Sequence, residues 1–198
     1  MKNTKQLMVV VSGLGFLFTA LSSYAVPFSS SGWYMEAQGG NSSLSDKSYP
    51  GSATSSGFGA NFNFGYKFMT YMAGEVGFTQ YKSTSIKSGN TTAGYDQHRA
   101  FDIAGKGILP VAEEDISLFA KIGIARIYSR VKIQDSTTAS AIGLGSGTQY
   151  VTGAYYGFGV QYNFASNVGG VLQWAQAVGN SSTGTSSLLS VGILYLIG

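Results

Sequence analysis

The chain has no cysteine, only three prolines in 198 residues, and few charges, since charged residues make up 11% of it. The lack of cysteine excludes disulfides and thiolate metal ligands. Soluble domains typically carry about 25% charged residues, so this composition is unusual for a surface that meets only water. The formal net charge of +3 gives no support for general nucleic-acid binding.

Residues 1–25 predict a secretory signal peptide, followed by a mature domain at residues 26–198. Lys2 and Lys5 form the basic start, and the uncharged apolar segment at residues 7–21 follows. Cleavage would remove these two charges and bring the net charge from +3 close to +1. The alternative is an uncleaved anchor, but about fifteen apolar residues are short for a span of about twenty. Elsewhere the apolar runs are too short for a transmembrane helix, so strands would have to cross any membrane.

Glycine, tyrosine and phenylalanine are abundant, with 28, 13 and 12 residues. Between Phe58 and Phe68 an apolar residue occupies nearly every second position, and glycine, asparagine and lysine lie between them. This period of two predicts a strand with one apolar face. About eleven residues, tilted by about 45°, are enough to cross the hydrocarbon core of a membrane.

Eight strands of this kind are predicted, and the connections between them alternate between long and short. The fourth strand is expected to end at Pro110, before an acidic turn at residues 112–115. Residues 82–97 and 132–148 are expected to be polar loops. The predicted strands are Gly32–Asn41, Phe58–Phe68, Met72–Thr79, Arg99–Leu109, Ile116–Tyr128, Thr152–Phe164, Val168–Ala177 and Ser187–Gly198.

The last strand carries an unbroken apolar face, formed by Leu189, Val191, Ile193, Tyr195 and Ile197. An unpaired strand edge invites aggregation in water and is prohibitive in a bilayer, where no solvent satisfies its backbone groups. We therefore expect the last strand to pair with the first strand and to close a barrel.

These patterns predict an all-β fold, an eight-stranded antiparallel up-and-down transmembrane β-barrel. The alternation of long and short connections is typical of outer-membrane barrels, which have long external loops and short periplasmic turns. The soluble alternative is an exported lipid-binding barrel with its apolar residues inside. The absence of Asp, Glu, Lys and Arg from residues 136–198 argues against it, and the apolar faces are too large for a small cavity.

Four segments carry a resemblance to a known family: Gly32-Trp33-Tyr34-Met35, Phe64-Gly65-Tyr66-Lys67-Phe68, Ala73-Gly74-Glu75-Val76-Gly77-Phe78 and Ser190-Val191-Gly192-Ile193-Leu194-Tyr195. With them the chain resembles the small eight-stranded outer-membrane barrels of Gram-negative bacteria, the group of the OmpA transmembrane domain and OmpX-like proteins. The resemblance implies location in the outer membrane after export, contact with outer-membrane lipid and lipopolysaccharide, and insertion by the barrel-assembly machinery. It also implies that the last strand is the assembly signal, although that group usually ends in an aromatic residue and this chain ends in Ile197 and Gly198.

Six charged residues are predicted to face the lumen. They are Glu36, Glu75, Asp102, Lys67, Lys106 and Lys121. Three acids and three bases can form a polar plug, since an eight-stranded barrel leaves little room inside and an unpaired charge there is costly. The alternative is a constriction that selects small solutes in a narrow pore.

His98 is the only histidine and lies close to Asp96 in the sequence. A carboxylate beside a histidine could activate water, as in barrel enzymes that cleave lipid or peptide. However, the serine spacing of the lipid A deacylases is missing, because Ala100 stands two residues after His98. We expect a solvated histidine at the rim, no catalytic residues and no cofactor. One histidine without cysteine also predicts no metal site.

Six basic residues in or beside the outer loops are candidates for contacts with lipopolysaccharide phosphates. They are Lys82, Lys87, Arg99, Arg126, Arg130 and Lys132. The sequence thus favours a monomeric envelope protein without enzymatic activity, with a role in structural integrity, surface display or adhesion. A narrow pore is the second interpretation, and an enzyme at the rim is the third.

Overall fold

The computed structural model describes residues 31–112 and 115–197. The predicted signal peptide, Glu113 and Glu114 of the acidic turn, and Gly198 lie outside the described residues. The strands are β1 (Gly32–Ser45), β2 (Ser52–Thr54), β3 (Gly57–Met69), β4 (Met72–Gln80), β5 (Thr84–Ser88), β6 (Thr91–Ala112), β7 (Ile116–Ile133), β8 (Gly147–Asn163), β9 (Val168–Ala177) and β10 (Thr185–Ile197). The helix α1 spans Ser136–Ala141.

Eight of these strands form a closed antiparallel ring, in the order β1, β3, β4, β6, β7, β8, β9 and β10. The last strand pairs with the first along its whole length, from Trp33 opposite Ile197 to Ser45 opposite Thr185. The predicted fold class is therefore confirmed, and the backbone groups at the edge of the last strand are paired, as a strand in a bilayer requires.

The strands point apolar side chains outward and polar or small side chains inward. On β3, Phe58, Phe62 and Phe64 are exposed, while Asn61 and Asn63 are buried. The outward face of β10 is exposed as well, which matches a barrel wall in lipid rather than a soluble barrel with an apolar cavity. In the described part of the chain, no helix has the length and the apolar content needed to cross a bilayer.

Strands β6, β7 and β8 are longer than the alternation predicted, and the expected polar loops contain ordered structure. Residues 82–97 include β5 and the start of β6, and residues 132–148 include α1 and the start of β8. The expected end of the fourth strand at Pro110 is wrong, because β6 continues to Ala112. Proline is tolerated there because the register with β7 shifts between Pro110 and Ala112.

These longer strands form a second structure above the barrel, which we call the raised sheet. It consists of β2, β5 and the upper residues 91–99 of β6, 126–133 of β7 and 147–152 of β8. The short connections lie at the opposite end of the barrel, as at residues 70–71 between β3 and β4. Because long connections are extracellular in such barrels, the raised sheet stands outside the cell.

The inner face of the raised sheet has its own small apolar core. Ile86 and Ala93 pack there with Ala139 and Leu144 from the segment of α1, and Tyr49 is packed against them. The helix is capped by the Asp135 side chain, which accepts a hydrogen bond from the Thr138 backbone N–H at 2.7 Å. The raised sheet, the segment of α1 and the segment between β1 and β2 therefore form one folded unit rather than separate loops. We call this unit the cap.

Candidate functional site

The lumen of the barrel is filled by side chains in layers. On β6 the buried inward residues run from His98 through Ala100, Asp102 and Ala104 to Lys106. One apolar layer, which includes Tyr81, Ile127, Tyr155 and Leu188, lies below the outer mouth. A second apolar layer, which includes Phe119, Val171, Leu194 and Leu196, lies toward the periplasmic end. Charged side chains occupy the space between these two layers.

Four of the predicted lumen charges form one network, which we call the charge quartet: Glu36, Glu75, Lys106 and Lys121. Each carboxylate contacts both ammonium groups. Lys121 Nζ lies 2.6 Å from Glu75 Oε2 and 3.1 Å from Glu36 Oε2, and Lys106 Nζ lies 3.2 Å from Glu75 Oε1. Lys106 Nζ also pairs with Glu36 Oε1. The quartet is neutral and its side chains are almost fully buried.

Neutral side chains complete the hydrogen bonding of the carboxylates. The Tyr34 hydroxyl donates to Glu75 Oε1 at 2.6 Å, and Asn63 Nδ2 and Gln38 Nε2 donate to Glu36 Oε2 at 3.0 and 3.1 Å. Tyr34 can reach Glu75, two strands away, because Gly65 lies between them and a Cβ there would lie 2.5 Å from the Tyr34 ring. A buried ion pair is favourable only with such additional partners, and this one has them.

The other two predicted lumen residues are buried but lie outside the quartet. Asp102 packs against Gly77, where a Cβ would lie 2.6 Å from both of its carboxylate oxygens. Among the described residues, its Oδ2 atom has no hydrogen-bond partner. Lys67 is buried on β3 toward the periplasmic end. The structure thus brings four of the six predicted charges together.

A second polar cluster, which we call the mouth cluster, closes the outer end of the lumen. It consists of Asp96 and His98 from β6, Ser129 from β7, and Lys47 and Tyr49 from the segment between β1 and β2. Asp96 is at the centre, because Lys47 Nζ, the Tyr49 hydroxyl and the Ser129 hydroxyl donate to its carboxylate at 2.6, 2.8 and 2.8 Å. The mouth cluster ties the cap to the barrel wall.

The expectation of a solvated rim histidine is wrong, because His98 is fully buried. Its Nε2 atom lies 3.1 Å from the Tyr49 hydroxyl and 3.3 Å from Asp96 Oδ2. Tyr49, from the segment between β1 and β2, therefore lies against it at the mouth. Ser129 donates to Asp96 and not to His98, so the order serine, histidine, acid of a nucleophilic triad is not formed.

The mouth cluster lies above the membrane-spanning part of β6, and its neighbours favour a charged Asp96. Burial alone would raise the pKa of the Asp96 carboxyl. Hydrogen bonds and positive charge from His98, with further hydrogen bonds from Lys47 and Ser129, outweigh burial and hold this pKa well below its usual range. Burial and the adjacent Asp96 charge raise the pKa of Tyr49, so its hydroxyl keeps its proton and remains a donor to Asp96.

The outward face of the raised sheet is basic and aromatic. Four of the six basic residues proposed for phosphate contacts are exposed on two adjacent strands, namely Arg99 on β6 and Arg126, Arg130 and Lys132 on β7. The Arg126 guanidinium lies 4.5 Å from the ring centroid of Tyr150, a cation–π contact that orients it. Lys87 on β5 and Lys82, two residues before β5, are exposed as well.

Sequence reasoning did not assign roles to Lys47, Tyr49 and Ser129. Lys47 and Tyr49 lie in a polar segment without alternation, where nothing in the sequence shows which strand they will reach. Ser129 lies one residue beyond the predicted end of its strand. Ser129 and Val131 lie on one face of β7, and Tyr128 and Arg130 lie on the other. This continuation of the period of two could have indicated that the strand extends beyond Tyr128.

A family model described as outer membrane protein beta-barrel domain matches residues 14–195. This chain belongs to the outer membrane protein β-barrel family. Its location is accordingly the outer membrane of a Gram-negative bacterium. A search of curated proteins found no match.

Solved structures of small outer-membrane barrels are similar in fold. OprG from Pseudomonas aeruginosa has a TM-score of 0.60 at 11% identity, with 85% of this chain and 98% of that chain covered. Neisserial surface protein A has a TM-score of 0.59 at 14% identity, with 83% and 97% covered. Ail from Yersinia pestis, in complex with the heparin analogue sucrose octasulfate, has a TM-score of 0.54 at 13% identity, with 84% and 97% covered. At these identities the similarity shows the fold alone.

Proposed function

We propose that this barrel is a closed, monomeric envelope protein without enzymatic activity that acts at the cell surface through its raised sheet, in display or adhesion. The observation that carries the proposal is the filled lumen beneath a folded external structure. Two apolar layers, the charge quartet and the mouth cluster occupy the interior. The part of the molecule that remains available to partners is therefore the outside.

The two other interpretations are less well supported. A narrow pore needs water between inward charges, whereas the side chains of the charge quartet are at most 1% exposed. An enzyme at the rim needs a reachable base, whereas His98 and Asp96 are both buried. Within residues 31–112 and 115–197 no three histidine or carboxylate side chains are grouped to hold a metal ion.

The proposal is tested by single-channel recording of the refolded protein in planar bilayers, with the Lys121→Gln variant alongside. We expect neither protein to conduct, because the apolar layers above and below the quartet still fill the lumen of the variant. Discrete openings whose size or ion selectivity changes in the variant would establish the pore instead.

The adhesion part is tested with cells that display the protein, where replacing Ser136–Ala141 by a short glycine and serine linker should reduce binding to a target cell layer. If cells that display the linker variant bind the target layer as well as cells that display the wild type, the adhesive role of the cap is contradicted.

We also propose that the outward basic residues contact lipopolysaccharide phosphates. Arg99, Arg126, Arg130 and Lys132 lie above the apolar band, at the level of the headgroups in the outer leaflet. Replacing all four by glutamine should weaken lipopolysaccharide binding about tenfold, since each exposed contact contributes about 0.2–1 kcal/mol. Binding to dephosphorylated lipopolysaccharide provides the control. An unchanged affinity in the variant, or equal binding of the dephosphorylated form, counts against phosphate contact.

A further inference from the structure

One edge of the raised sheet is open, at residues 147–152 of β8, which we call the free edge. On one side these residues pair with β7 without a register shift, from Val131 opposite Gly147 to Arg126 opposite Thr152. On the other side the pairing with β9 begins only at Tyr155 opposite Ala177. In the described part of the chain, the backbone groups that the free edge turns away from β7 have no backbone partner.

The free edge lacks the features that usually protect an exposed strand. It contains no proline, no charged residue and no bulge, and Thr148, Tyr150, Val151 and Thr152 all favour a strand. The opposite edge of the raised sheet, β2, is only three residues long, and a short edge is a poor template. The free edge is six residues long, about 20 Å at about 3.4 Å per residue, which equals a typical strand.

The side chains around the free edge indicate what kind of strand would fit. On its outward face Arg130 lies opposite Thr148 and Arg126 lies opposite Thr152, and both arginines are exposed. In the described residues of β5 to β8, the outward face of the raised sheet carries basic residues and no carboxylate. An added strand would lie about 10 Å from β7, within reach of long arginine side chains.

We infer that the free edge binds an extended peptide segment with acidic side chains, which adds to the raised sheet as a further strand beside β8. This mode of recognition takes its affinity from backbone hydrogen bonds and its selectivity from alternate side chains. It deepens the adhesive role proposed above and rests on it, because it names the partner of the exposed sheet. Only every second residue of β8 turns its N–H and C=O groups to the free edge.

The experiment measures binding of a fluorescent ten-residue peptide of alternating valine and glutamate to the folded protein in nanodiscs free of lipopolysaccharide. The matched variants are Gln149→Pro and Tyr150→Pro, at neighbouring positions whose N–H groups point to opposite sides of the strand. Ala154 accepts a backbone hydrogen bond from Val178 on the β9 side, so by alternation Tyr150 turns its N–H to the free edge and Gln149 turns its N–H to β7. We expect Tyr150→Pro to fold like the wild type and to bind the peptide at least tenfold more weakly, because it loses a donor at the free edge and its ring obstructs the partner. The other variant disturbs the pairing with β7.

The charge part is tested with a peptide of alternating valine and lysine and with the double variant Arg126→Gln/Arg130→Gln. We expect the wild type to prefer the acidic peptide and the double variant to lose about fivefold in that preference. Equal binding of both peptides by the wild type overturns the inference, and so does unchanged binding by a folded Tyr150→Pro variant. Self-association that the proline variants abolish would assign the edge to a second copy instead. Heparin binding that resists both prolines and is lost in the double variant would assign the surface to polyanions. If removal of α1 reduces cell binding but the wild type binds no peptide, the proposed surface role stands. In that case only the inference that the free edge binds a peptide is refuted.

Discussion

Replacing Glu36 by glutamine should lower the free energy of unfolding by about 3–5 kcal/mol. The carboxylate contacts both Lys106 and Lys121, and its removal leaves two buried ammonium groups with Glu75 as the only carboxylate of the quartet. An unpaired charge in such a place costs several kcal/mol because water cannot solvate it. The measurement is denaturant unfolding of the refolded barrel in lipid vesicles. The folded fraction is read from the different mobilities of the folded and unfolded forms when unheated samples are run on SDS gels.

The double variant Glu36→Gln/Lys106→Gln is the matched control, since it restores the neutrality of the quartet. It should be more stable than the sum of the two single variants predicts, by about 1–3 kcal/mol of coupling between residues in contact. Arg99→Gln, at an exposed position, should change the stability by less than about 0.5 kcal/mol. A Glu36→Gln protein as stable as the wild type would mean that water reaches the quartet, and would favour the pore.

Replacing Asp96 by asparagine should release the cap from the mouth of the barrel. The substitution leaves Lys47, whose side chain is only 10% exposed, without its counter-charge. It also weakens the hydrogen bonds from Tyr49 and Ser129, which now meet a neutral acceptor. We expect the free energy of opening the cap to fall by about 3 kcal/mol, so amide hydrogen exchange in β2, which follows residues 46–51 and pairs with β5, should be roughly a hundredfold faster. Exchange within β3 and β9 serves as the internal control, because those strands stay in the barrel.

The same contact predicts how the cap responds to acid. The pKa of Asp96 is lower in the folded protein than in the unfolded chain, so its charged form stabilises the closed cap. This stabilisation is complete above the unfolded value of about 3.9 and is lost as the pH falls from there toward the lowered folded value. Hydrogen exchange in β2, after correction for its intrinsic pH dependence, should accelerate as the pH falls below about 4. A profile of the Asp96→Asn variant that accelerates equally would assign the effect to other groups.

The sequence alone determined the barrel. Alternation such as that of Phe62, Asn63 and Phe64 divides a strand into an apolar and a polar face, and the absence of Asp, Glu, Lys and Arg from residues 136–198 favours lipid rather than water around the barrel. The unbroken apolar face of Val191, Ile193 and Tyr195 required a partner strand, and β1 provides it. These features can be read from adjacent residues in the sequence, because every strand in lipid needs the same apolar outer face and the same paired backbone groups.

Only the tertiary structure decided the contacts in the lumen and the shape of the cap. Glu36, Lys106 and Lys121 lie on three different strands, so their pairing depends on strand order and register rather than on local pattern. His98 was expected in water and is buried, and Tyr49 contacts it from a segment about fifty residues earlier in the chain. The free edge of β8 likewise exists because β9 ends at Ala177 while β7 continues to Ile133. The lengths of three neighbouring strands decide whether a backbone has a partner, and periodicity within one strand carries no information on the length of the next.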